Sequence, residues 1–447
     1  MTLSYTAVAQ FLAAVPVPRD LPLPLPVPEA VLKGLLVLFF LLHIFFVNLM
    51  VGGSFMVVFF EYLGLRRKKW DGLAYEVAKT VTVNKSLAVV LGIGPLLCIN
   101  LVYTVQWYGA NALTGHAWLL IVPTVISAFL LAYLHKYTWH AWDHGWRKKL
   151  HLAVGVLMAL HFLFIPLIFL ANVNLMLFPS EWEKVRGFFS SLQIGNVFPR
   201  YLHFLLASVA LASLFMVGWF GRAGAAGALP QGFSRDDLRR TFYRAALVPT
   251  AAQFLAGPLL LFTLPPVGIT HTLYGVIGAG ALLGLVVLHQ LAKEVGAPDG
   301  QVGRRYVGIC ILFSFVVLGM GSGRHIYREA ALASHKAEVK HRTQEYETAL
   351  AAFNAQQAAG AGPAKAQTGE QLFASCAACH APAIRLVGPP LAEIAQIYAG
   401  NPAGIVAWAK APGKKRPDYP PMPPFAHLSD ADLTKIAEFM LTQAVSK

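Results

Sequence analysis

Eight stretches of roughly 20 mostly apolar residues constrain this chain more than any other feature. Coiled as an α-helix, a run of that length matches the ~30 Å hydrocarbon core of a bilayer. The stretches lie at about 30–63, 86–109, 117–142, 150–178, 199–220, 243–264, 271–292 and 305–326. No sustained period-two alternation appears, which excludes a β-barrel. The predicted fold class is therefore all-α: a polytopic membrane bundle of eight transmembrane helices, followed by a small C-terminal soluble domain. Of the 447 residues, 56% are apolar and only 13% charged, about half the charge of a soluble domain. A wholly soluble chain is excluded, as is a disordered one. Four cysteines rule out a disulfide scaffold.

The net charge of +14 has an address. Positive residues fall in short loops between apolar stretches rather than on one soluble face, so no nucleic-acid partner is expected. Alternate loops carry Arg66, Arg67, Lys68, Lys69, Lys79 and Lys85, then Lys136 and Arg147 to Lys149, then Arg222, Arg235, Arg239, Arg240 and Arg244, then Lys293, Arg304 and Arg305. The opposite side has only Arg19, Lys33, Lys184, Arg186 and Arg200. The richer side is expected to be cytoplasmic, which puts both termini in the periplasm of a bacterial inner membrane. The N-terminus lacks a charged n-region and a cleavage site, so no removable signal peptide is expected. Residues 1–29 are read as a periplasmic segment, with LPLPLPVP (21–28) as extended polyproline. Residues 30–328 form the membrane domain. Residues 329–366 form a linker, helical and then flexible, and 367–447 the soluble domain.

In that domain Cys376-Ala-Ala-Cys379-His380 is the covalent haem-attachment pattern: two thiols form thioethers to the vinyl groups and the adjacent histidine becomes an iron ligand. Gly369 to Phe373 precede it as a short helical pattern, and Gly388-Pro389-Pro390-Leu391 follow. Pro421-Met422-Pro423 comes later, and a closing helix is capped by Ser429-Asp430. Over 367–447 the chain resembles class I cytochrome c. The resemblance implies one covalent haem c, with His380 as proximal and Met422 as distal ligand; the alternative for Met422 is core filling. Haem c is attached outside the cytoplasm, and eight spans from an outside start place this domain there as well. Lys414, Lys415 and Arg416 read as a site that steers an acidic redox partner, or as an ordinary solvated loop. His427 reads as a surface residue.

Ionisable residues inside a membrane are candidate functional residues. His43, His116, His203, His271 and His325 belong to the outer half; His135, His140, His144, His151 and His289 lie toward the cytoplasm, and His161 sits mid-span. Interfacial histidine beside aromatics, as in Tyr137-Thr138-Trp139-His140, fits aromatic-belt chemistry. Two histidines stand out. His43 shares a helix face with Met50, and Gly52-Gly53 nearby leave room for a flat macrocycle or for a close helix. His203 is followed by Ala207 and Ala210 at helical spacing, with the same two readings.

The segment from His43 to Glu61 is similar to the first helix of subunit I of cytochrome bd quinol oxidases, and the His203 segment to the family's fifth helix. Gly323-Arg324-His325-Ile326-Tyr327 stands where the family has Gly-Arg-Gln-Pro-Trp. The resemblance covers about 30–328. It implies one or more haems b, with two expected, ligated by His43 and His203. Arg324 reads as the partner of a haem propionate, or as an ordinary juxtamembrane arginine. Departures are specific. Gly321 replaces a ligating Glu, and the second span lacks the family's acidic residues. The seventh lacks its Met ligand, and Leu264 to Thr270 is a tight turn where the family has a quinol-binding loop. Met320 is either a replacement axial ligand or a lipid- or core-facing side chain. Cys98 and Cys310 read as small buried hydrophobes.

These features predict an electron-transfer cytochrome in which haems b, reduced from membrane quinol, pass electrons to haem c. A terminal oxidase fed through its own haem c and a non-enzymatic scaffold subunit are the alternatives, and the missing carboxylates weigh against the oxidase. Expected partners are the membrane, quinol, a periplasmic electron carrier or multihaem cytochrome, and a related membrane subunit.

Overall fold

The computed structural model describes residues 25–222, 229–360, 367–414 and 418–443, without the side chains of 83–85 and 357–360. The expectations for residues 1–24, for linker residues 361–366 and for Lys415 and Arg416 lie outside the described residues.

Regular structure among the described residues is helical throughout. Eight helices are long and apolar enough to cross a membrane: α1 Glu29–Gly64, α2 Lys68–Val102, α3 His116–Thr138, α4 Gly145–Leu177, α5 Val197–Gly221, α6 Arg235–Phe262, α7 His271–Val295 and α8, which runs Tyr306–Gly360. With such a bundle the chain is a multi-pass membrane protein. Four short helices follow: α9 Gly369–Phe373, α10 Leu391–Ile397, α11 Pro402–Lys410 and α12 Asp430–Gln443. Two compact units separate, Pro18–Glu345 and Tyr346–Lys447.

Several helices outrun the apolar stretches. α1 has 36 residues, about 54 Å at 1.5 Å per residue, well beyond the hydrocarbon core. α2 begins far ahead of residue 86. Its first turns are amphipathic, and Leu73, Ala74, Val77, Ala78 and Val81 are buried against the bundle, so 3.6-residue periodicity rather than hydropathy marks its start. Ser234 caps α6 in a reciprocal capping box with Asp237. Prolines 95, 166, 249 and 258 sit inside helices, which neighbouring helices make tolerable in a membrane bundle. The turn between α6 and α7 is as tight as the sequence predicts, one 3-10 turn at Pro266–Gly268, closed by Tyr327 donating to the Pro265 carbonyl at 2.8 Å.

The two readings of Gly52-Gly53 resolve in favour of helix packing. A Cβ on Gly52 would fall onto the Ser208 carbonyl of α5 and 2.9 Å from Ala212 Cβ. One on Gly53 would lie 2.5 Å from Val81 Cγ2 of α2. Beside this contact Ser208 donates to Asn48 Oδ1 at 2.9 Å. Gly52→Val should therefore push α1 off α5, destabilising the bundle by about 1–3 kcal/mol or more. A thermal-unfolding midpoint unchanged from wild type in detergent would contradict this packing.

Candidate functional site

The C-terminal site is built from one turn outward. Thr368 caps α9 in a capping box with Gln371. The backbone continues in helical turns, with Cys376 N–H on the Phe373 carbonyl at 2.8 Å and His380 N–H on the Cys376 carbonyl at 3.1 Å. Residues 376, 379 and 380 are thus related as i, i+3 and i+4 and share a face. That face lines an apolar cleft closed by Trp408, Met422 and Phe425. Burial pushes the Cys376 thiol above its ordinary range. His380 Nδ1 donates to the Pro389 carbonyl at 2.8 Å. This bond sets the tautomer and frees Nε2 for a metal. Gly388 makes the ring's position possible, since a Cβ there would strike the imidazole, lying 2.9 Å from Nδ1. Behind the cleft α9 and α12 pack through Phe373 and Phe439, centroids 5.3 Å apart. Two thiols on one turn, an imidazole with a free Nε2 and a thioether on the wall of one apolar cleft form a donor set that fits haem c. His427 is exposed, as predicted.

In the bundle the predicted residues occupy different helix seams. His43 is half-buried on α1 and donates from Nδ1 to the Ala88 carbonyl of α2 at 2.8 Å. Gly92 admits the ring, for its Cβ would lie 2.9 Å from His43 Cε1. Here too Nε2 is the nitrogen left for a metal. His203 sits between α5 and α6, where Gln253 donates to its backbone carbonyl at 2.9 Å. Its Nδ1 is buried with no hydrogen-bond partner, an orphaned polar atom of the kind a bound group would explain. Met320 on α8 points its methyl at Gly280 of α7, 2.6 Å from where a Cβ would stand. The Arg324 guanidinium lies 4.3 Å over the Phe40 ring. Arg328, 6% exposed, has a buried Nη1 without a partner. A set of this kind fits a haem with carboxylate substituents. Cys98 is buried and Cys310 half-buried. His116, His271, His289 and His144 are exposed, and His161 bonds the Leu157 carbonyl of its own helix.

Sequence reasoning missed one constellation. Glu61 from α1, His135 from α3 and His151 from α4 meet at the lysine-rich end, 0%, 1% and 0% exposed. Glu61 Oε2 lies 2.7 Å from His135 Nε2, and Oε1 lies 2.5 Å from His151 Nδ1. Lys148 pairs with Glu61 at 2.9 Å and Asp71 at 2.6 Å. The only signal was a lone carboxylate ending the first apolar stretch and two histidines on either side of one loop.

A cytochrome c family model matches residues 366–444. Cytochrome c-551 of Azotobacter vinelandii is 40% identical over 82 residues, 17% of this chain and 98% of that protein. The bd oxidase of Geobacillus thermodenitrificans superposes with a TM-score of 0.53 at 11% identity, covering 72% of this chain and 96% of the other. That likeness shows that the membrane helices share the bd-oxidase fold. The C-terminal domain thus carries covalent haem c and transfers electrons, and through residues 366–444 the chain belongs to the cytochrome c family.

Proposed function

We propose that this protein is a membrane electron-transfer cytochrome that takes electrons from quinol into haems b in the outer half of the bundle. It then delivers them to haem c in a periplasmic C-terminal domain. One observation carries the reading: a single polypeptide joins a bd-oxidase-like bundle, with His43 and His203 set in separate helix seams, to a haem c cleft.

Cys376 and Cys379 anchor the haem edge by thioether bonds, and His380 takes the proximal position with the Pro389 carbonyl holding its ring. Met422, on the cleft wall, would hold the iron from the other side. His43 and His203 would hold haem b in the bundle, and Arg324 would pair with a propionate. Met320 offers a further thioether. Bound haem supplies a one-electron iron couple whose potential follows axial ligation and burial. A soluble electron carrier or multihaem cytochrome would collect electrons from haem c, with a related membrane subunit alongside.

The test is a pyridine haemochrome assay with a reduced-minus-oxidised spectrum of purified protein. One haem c with one or more haems b and no far-red chlorin band is the expected result. A chlorin band, or a high-spin haem b that binds carbon monoxide, would replace this reading with a terminal oxidase. Haem c alone would reduce the bundle to a scaffold. Met422→Ala should lower the haem c midpoint potential, since a thioether ligand raises it. The scale is the roughly 0.8 V range that axial ligands span, and an unchanged potential in a redox titration would assign the distal position to another group.

A further inference from the structure

The cluster at the lysine-rich end has no part in that electron route. We infer that Glu61, His135 and His151 form a buried binding site for one exchangeable proton, served by a charged relay through Asp71 and Lys148.

The hydrogen bonds require it. His151 Nε2 lies 2.7 Å from the His135 carbonyl oxygen. A carbonyl can only accept, so Nε2 carries a hydrogen. The other nitrogen, Nδ1, faces Glu61 Oε1 at 2.5 Å. Two bare acceptors cannot share that gap, so one more proton sits on Nδ1 or on the carboxyl. Charge balance points the same way. Glu61, Asp71 and Asp143 bring three negative charges and Lys148 and Lys68 two positive, which leaves the cluster one negative charge over, at a cost where it is dry. One proton neutralises it.

A divalent metal fits less well, although the three ligand atoms lie within 4.8 Å of one another. A metal would sit about 2.0–2.1 Å from each donor. The 2.5 and 2.7 Å gaps are hydrogen-bond lengths that it would have to pry open. An ammonium already lies 2.9 Å from Glu61 and 4.6 Å over the Trp139 ring, and Trp139 stands edge-on to both imidazoles.

Charged groups lead from the surface to the cluster. Lys68, with a side chain 69% exposed, pairs with Asp143 and lies 3.4 Å from Asp71. Asp71 holds Lys148 at 2.6 Å, and Lys148 holds Glu61. His144 lies 4.0 Å from Asp143 at the entrance. These are ion-pair distances: Lys148 Nζ and Asp71 Oδ1 make no hydrogen bond, so the Lys148 ammonium must turn before it passes a proton to Glu61.

The experiment uses the full-length protein in lipid vesicles with ¹⁵N-labelled histidine, read by solid-state NMR. At neutral pH one imidazole should show protons on both nitrogens, or one shared with a carboxyl. Glu61→Gln should abolish that signal, and His151→Phe should remove it, while haem c content is retained. Asp71→Asn should keep the signal and slow its exchange with deuterated solvent at least tenfold. Several results would overturn the proposal: neutral imidazoles together with an ionised Glu61 carboxylate in wild type, a signal indifferent to Glu61→Gln, exchange unaffected by Asp71→Asn, or one equivalent of bound metal lost in His151→Phe by elemental analysis.

Discussion

A chain carrying Cys376→Ser together with Cys379→Ser will lose its covalent haem completely. On a denaturing gel stained for haem, the wild-type band should carry stain and the double variant none. The two sulfurs stand three residues apart on a helical turn and line the cleft beside His380, so each reaches a different point on one macrocycle edge. Serine keeps the size and the turn but forms no thioether. The domain core of Phe373, Leu391, Ile394, Leu433, Ile436 and Met440 has Cys376 packed at its edge, where serine keeps the volume, and the membrane haem signal should remain. Persistent staining would show attachment elsewhere.

The second large effect concerns the membrane. His203→Ala should remove one haem b entirely, and His43→Ala a different one, each read as a fall in the ratio of haem b to haem c. Neither change should unfold the bundle. The His203 Nδ1 has no partner to strand, and Gln253 bonds the backbone carbonyl, which alanine keeps. The Ala88 carbonyl that His43 occupies lies within a helix whose own ladder can satisfy it. If the ratio is unchanged in both variants, the ligands lie elsewhere in the bundle and the proposed electron route loses its entry.

Much of the molecule was legible from local pattern. Apolar runs gave the number and order of spans, because one helix crosses a bilayer by its own length and composition. The CxxCH motif identified the haem c domain, because the chemistry lies within five consecutive residues. The tight turn at 264–270 was legible from its length alone. Harder to read was the start of α2, where an amphipathic helix runs ahead of the apolar stretch; the charged continuation of α8 agrees with the helical linker expected after the last span.

What sequence by itself determined, then, is whatever a few neighbouring residues can specify: spans, caps and the covalent haem motif. Tertiary structure alone decided which helices touch. Gly52 reads the same whether it faces a macrocycle or a backbone; only the position of Ser208, far along the chain, shows that it admits α5. Glu61, His135 and His151 each look like an interfacial polar residue until three helix ends converge. Convergence removes water from all three at once, and in a dry interior the charge on Glu61 is balanced by Lys148 and by a proton, while Asp71 stands between Lys148 and Lys68.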